Sequence, residues 1–236
     1  MVRGGTVSLA LITAAELFLY VNRYELCMIL HGINLVFSCF YILLKKDTEV
    51  IPLTLPSTFR LINLSMPVFF SVKAYWLATV YLPMFPAFYY SSKALRHDAT
   101  DIGFSLSITK NSLFLIVFGV FFSIIIGFLE SKFNPASYTS SLPVIALVGA
   151  VFVSFTEEIM YRGIIQSYFE KEYGIYGIFL TIFVNTIMVP GIKLKLLAAV
   201  LATVLCAIYS KSKSLLSTTL VHWVEFMSWI LFSKGF

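Results

Sequence analysis

The sequence predicts an all-α, polytopic integral membrane bundle of about eight transmembrane helices, and three observations carry that expectation. First, 59% of the 236 residues are apolar and only 12% charged, against about half and a quarter in a soluble domain. Mean hydropathy is +0.89, and a water-soluble fold of this size has no interior large enough for so much apolar surface, so the excess faces lipid. Second, the 23 Phe and 13 Tyr suit lipid-facing surfaces and interfacial belts. Third, the apolar runs are continuous rather than alternating, which favours helices over a barrel among the two structures that satisfy their backbone in lipid.

The expected spans follow in chain order, each needing ~20 residues. The first covers Thr6 to Val21. Met1 to Ala15 has the outline of a signal peptide, with Arg3 ahead of an apolar run, but equivalent runs recur along the whole chain, so a retained span is expected. The second, Leu26 to Leu44, is closed by Lys45, Lys46, Asp47 and Glu49. A stretch with Pro52 and Pro56 leads to Leu61–Tyr90, which contains Lys73, Pro67, Pro83 and Pro86 and reads as one kinked span or two short ones. Ser91 to Lys110 is polar and expected outside the hydrocarbon. Leu113 to Leu129 is the next span, Glu130 to Ser141 a second polar loop with Asn134-Pro135 as a turn signal. Leu142–Phe169, Ile175–Val189, Leu194–Tyr209 and Leu215–Phe232 complete the set. Residues 1–236 read as one membrane domain, with N-terminal spans in 1–100.

The charge pattern excludes some functions. The net charge of +5 comes from bases scattered singly, with no basic stripe, so nucleic-acid binding is not expected. Arg3, Arg23, Lys45, Lys46, Arg60, Lys93 and Arg96 read as loop charges at a membrane surface. Assigning Lys and Arg alternately to the two sides gives eight against seven, so orientation stays open. Cys27, Cys39 and Cys206 lie in apolar runs, without a disulfide framework or metal spacing. Glu16, inside the first span, is open between snorkelling, pairing with another helix and a misplaced boundary; His31 reads as an interhelical hydrogen-bonder.

The informative charges interrupt later spans. A charge near the bilayer centre costs ~2.5–3.5 kcal/mol on insertion scales, yet Glu157, Glu158 and Arg162 sit within six residues of membrane-grade sequence. Glu158 and Arg162 are i,i+4 neighbours and suit an ion pair. Glu157 points ~100° away and is the candidate general base. His222 and Glu225 share a face of the last span at i,i+3. If the two helices meet, Glu157 and His222 flank a trapped water. The competing reading is a polar cluster that only fixes packing.

Glu157-Glu158-x-x-x-Arg162-Gly163 resembles the first motif of the CPBP family, the intramembrane proteases that include type II CAAX prenyl endopeptidases and Abi-type bacteriocin-processing or immunity proteins. The polar Asp101-Ile102-Gly103-Phe104 segment is similar to a weaker feature of the family. The resemblance spans about residues 101–232, the expected catalytic core. It implies Glu157 as base, His222 as oxyanion stabiliser and Arg162 with Glu158 as a positioning pair. Two departures stand out. The family's Phe-x-x-x-His motif is missing: Phe183 would put Ile187 at the histidine position, and Asn185 is the strongly polar side chain of that span. Four residues after His222 stands Phe226 rather than Asn, with Glu225 one residue early. Asn185 and Glu225 are therefore possible supporting residues.

These residues imply an intramembrane endopeptidase acting on a peptide or lipidated protein within the bilayer. The alternative is a non-catalytic relative serving as scaffold, immunity factor or regulator. A transporter ranks below both, since no internal repeat is present. No cofactor is expected: a catalytic zinc takes three ligands, no HExxH occurs, and Glu157, His222 and Glu225 supply a divalent-metal set only if their geometry allows. A multi-pass protein of this kind would sit in the cell membrane of a prokaryote or the endoplasmic reticulum of a eukaryote.

Overall fold

Why apolar runs become helices is visible in their hydrogen bonding, since each helix satisfies its own backbone groups. The computed structural model describes residues 4–65, 81–105, 110–134 and 143–233. Every regular element among these residues is a helix. They are α1 (Gly4–Tyr20), α2 (Tyr24–Lys45), α3 (Ile51–Ser65), α4 (Met84–Leu95), α5 (Lys110–Phe133), α6 (Pro143–Glu158), a π-helical segment (Ile159–Gln166), α7 (Ser167–Tyr173), α8 (Ile175–Ile187), α9 (Ile192–Ser212) and α10 (Leu215–Ser233). Within the described residues four helices are long and apolar enough to cross a membrane: Tyr24–Lys45, Ser112–Phe133, Ile192–Ser212 and Leu215–Ser233. The apolar helices α1 and α8 are shorter. The helical membrane bundle expected from composition holds, with boundaries that differ in three places.

The Pro52–Pro56 stretch is helix, not linker: α3 begins at Ile51, places Pro52 in its first turn and tolerates Pro56 inside. Proline is acceptable in a first turn because its missing N–H has no intrahelical partner there. The question of one kinked span or two falls largely on residues 66–80, Lys73 included, which lie outside the described residues. Glu130, read as the start of a loop, is helical, because α5 runs on to Phe133. The expected span Leu142–Phe169 is a single rod from Pro143 that widens into a π-helix at Ile159.

The chain divides into two compact units, Met1–His97 and Asp98–Phe236. In the first, α1, α2 and α3 pack on one another and α4 packs on α3. Small residues at the α1 interface (Gly4, Gly5, Ser8, Ala15) are buried, which lets helix backbones approach closely in lipid. Arg60, read as a surface charge, is instead a buried α3 residue bonded to Glu16.

In the second unit α10 packs on α5, α6 and α9, while α8 packs on α7, α9 and the π-helical segment. Ile116, Ile126, Leu201, Leu205, Ile208 and Val221 form the core shared by α5, α9 and α10. The opposite face of α5 exposes Phe114, Val117 and Phe121, as a lipid-facing stripe does. Gly127 fixes the α5–α10 approach: a Cβ there would meet the Glu225 carbonyl oxygen at 2.5 Å and Ser228 at 2.7 Å.

Candidate active site

The site forms where the α6 rod meets α10. Glu157 and Glu158 end the α-helical part, and the backbone then passes into the eight-residue π-helix. Such segments insert a surplus residue into a helix, which shifts side-chain register, and they are frequent at functional sites. A tight turn wedges against this segment. Asp98 Oδ1 accepts from the Thr100 and Asp101 backbone N–H groups and Asp101 Oδ2 accepts from Asp98 N–H. That turn delivers Ile102 onto Gly163, where a Cβ would meet Ile102 Cγ2 at 2.7 Å and its carbonyl oxygen at 3.0 Å. The following Gly103 has φ +94°, a backbone conformation glycine adopts without penalty, and its carbonyl accepts from Leu215 N–H at the start of α10. Phe104 stacks edge-on against Phe155. The Asp101–Phe104 segment singled out in the sequence thus braces the π-helical segment against the last helix.

At the far end of the π-helix Gln166 Nε2 donates to the Cys206 carbonyl (3.0 Å) and Ser210 Oγ (2.9 Å) on α9. Glu170 accepts from Ser210 Oγ and Lys213 Nζ. These bonds lock the rod against α9.

Between the two braces four of the sequence-predicted residues come together. Arg162 and Glu158 are fully buried, and Arg162 Nη1 lies 3.2 Å from Glu158 Oε1 within the rod. The guanidinium also sits over the Tyr161 ring, 5.7 Å from its centroid. The same Glu158 oxygen lies 2.8 Å from His222 Nδ1 on α10. A carboxylate only accepts, so Nδ1 donates. His222 Nε2 then faces Glu157, whose Oε2 is 3.7 Å away. That separation is too long for a hydrogen bond, and a single water placed beside the pair reaches both atoms. The Glu157 side chain is 24% exposed while that of Glu158 is 0%, so two adjacent glutamates on one helix have opposite surroundings.

The supporting residues fare differently. Glu225 is buried three residues beyond His222, with the Glu130 carboxyl of α5 beside it. Glu130 was missed from sequence; the signal available was Gly127, one turn earlier on the face that packs on α10. Asn185 lies half-buried on α8, a helix whose neighbours are α7, α9 and the π-helical segment. The three donors among the described residues that do converge closely enough for a metal, Glu16, Cys27 and His31, lie in the N-terminal unit.

The family model described as type II CAAX prenyl endopeptidase Rce1-like matches residues 139–225. The matched region is Rce1-like. It begins just before α6, ends on Glu225 and contains Glu157, Glu158, Arg162, Asn185 and His222. Over those residues the chain is similar to the type II CAAX prenyl endopeptidases, and its long apolar helices mark an integral membrane protein. No curated protein and no solved structure matches the chain.

Proposed function

We propose that the Rce1-like region is an intramembrane endopeptidase that hydrolyses a peptide bond near the end of a prenylated or otherwise lipid-anchored protein. The observation that carries this reading is the relay Arg162–Glu158–His222–Glu157, closed by buried charge at one end and half-open at the other. Glu158 holds the Nδ1 proton of His222, which leaves the Nε2 lone pair directed toward Glu157. This is the orienting role an acidic residue plays behind a catalytic histidine. His222 therefore takes the water-holding position for which the sequence lacks a middle histidine, rather than the oxyanion role first expected. Glu157 removes one proton from the water held between it and Nε2, the water oxygen bonds to the scissile carbonyl carbon, and the C–N bond breaks as that proton passes to the leaving nitrogen. Neither residue needs a bound metal for these steps. The bilayer is the natural partner of such a site, since a lipid anchor presents its peptide at membrane depth.

The test is cleavage of a prenylated peptide by the full chain in proteoliposomes. Glu157→Gln is expected to lower cleavage about 10²–10⁴-fold while membrane insertion and thermal unfolding stay as in the parent. Undiminished cleavage in that variant would overturn the proposal. The second reading, a non-catalytic binding member, draws on Ile187 standing where the family has histidine. It is favoured if the parent binds the prenylated peptide without cleaving it and Glu157→Gln leaves that binding unchanged.

A further inference from the structure

The N-terminal unit contains a second buried polar centre that the proposed hydrolase does not use. Glu16 of α1, Cys27 and His31 of α2 are all buried, and one ligand atom from each lies within 4.8 Å of the others. A carboxylate, a thiol and an imidazole are the donor types that zinc takes. The surroundings already have the form of a metal site's outer layer. Ser57 Oγ lies 2.9 Å from His31 Nδ1 and itself accepts from Asn34 Nδ2 at 2.9 Å. The Nδ1 side of the ring is thereby fixed and Nε2 is turned toward Glu16 at 3.2 Å. Metal-binding histidines are commonly oriented through their second nitrogen in this way. Arg60 donates Nε and Nη2 to the two Glu16 oxygens at 2.7 and 2.8 Å. A carboxylate offers about four lone-pair positions, so this clamp orients Glu16 without using it up.

The spacing agrees. Zinc bonds of about 2.0–2.1 Å to nitrogen and oxygen give a tetrahedron whose edge is about 3.3 Å, and the Glu16–His31 separation is 3.2 Å. Access is short: Glu16 is four residues from the end of α1 and Cys27 three from the start of α2. The centre thus lies roughly one helical turn, ~5 Å, beneath the α1–α2 connection.

We propose that Glu16, Cys27 and His31 form a site for a divalent transition metal of the zinc class, with Arg60 and Ser57 as orienting residues. Binding is balanced by the loss of one proton. The Cys27 thiol gives up its hydrogen as the sulfur–metal bond forms, and His31 moves its single N–H from Nε2 to Nδ1, where Ser57 Oγ accepts it. Glu16 remains a carboxylate, and no electron is transferred. The fourth position is open to water.

The experiment titrates Co2+ into the full chain, stripped of metal by a chelator and held in detergent micelles. One equivalent is expected to produce a thiolate-to-cobalt charge-transfer band, which Zn2+ then abolishes. The band should persist in the double variant Cys39→Ser/Cys206→Ser, where Cys27 is the sole thiol, and vanish in Cys27→Ser. Ser57→Ala should weaken Co2+ binding about 10–100-fold, as loss of an orienting partner does. One proton released per ion makes the affinity fall as the solution is acidified. Absence of the band in the parent or in the folded double variant overturns the proposal, as does a band that survives Cys27→Ser.

Discussion

The two units each contain an arginine, a glutamate and a histidine brought together from different helices, and the trios end differently. In the N-terminal unit Arg60 clamps both oxygens of Glu16, His31 bonds Glu16 through one nitrogen and Ser57 through the other, and Asn34 closes the far side. In the C-terminal unit Arg162 approaches one oxygen of Glu158 at 3.2 Å, and the second nitrogen of His222 ends 3.7 Å from a partly exposed Glu157. The same three residue types give a histidine bonded through both nitrogens in one place and a histidine bonded through a single nitrogen in the other. In the proposed hydrolysis, what separates the two trios is where the last nitrogen points.

Substitutions can break that comparison. The largest effect is expected for Glu158→Gln, which leaves Arg162 buried without its ion pair and frees the His222 ring. Peptide cleavage should fall by about 10⁴, the loss seen when an orienting carboxylate is removed behind a histidine, and thermal unfolding should drop as well. Next is Glu157→Gln, which removes the proposed base alone. Cleavage should fall about 10²–10⁴-fold with the unfolding temperature unchanged. Glu16→Gln is the mirror case: it should destabilise the protein by about 3–5 kcal/mol, the cost of breaking a buried ion pair, read as a lower unfolding temperature. A loss of turnover in Glu16→Gln at a temperature where the protein remains folded would break the distinction between the two trios. The smallest effect is expected for Gly163→Ala. Its added methyl presses on Ile102 and costs about 1–3 kcal/mol, with KM changing more than kcat if the brace only holds the cleft's shape.

Much of the architecture was legible because hydropathy and helix formation coincide in lipid: α2, α5, α9 and α10 sit where apolar runs of sufficient length stand. The misreadings have physical reasons. Hydropathy falls at Glu130-Ser131-Lys132 although helical hydrogen bonding continues to Phe133. Arg60 resembled a surface charge because its partner is 44 residues away. At the candidate site, spacing within one helix revealed the Glu158–Arg162 pair. The Glu158–His222 bond spans 64 residues, and its existence depends on how two helices meet, which no local pattern encodes. The surplus residue of the π-helix is a matter of register, and a sequence records residues rather than turns.

That widened stretch has a consequence for how the protein tolerates change. Ile164 and Ile165 are identical neighbours within it, so removing either one would scarcely alter composition, hydropathy or volume. Yet a shortened rod regains ordinary α pitch, and seven residues at about 100° each wind roughly as far as eight do in the wider π segment, so the acidic pair and Gln166 keep their bearings. What a one-codon deletion of a redundant isoleucine removes is the widened turn itself, with both anchors left in place.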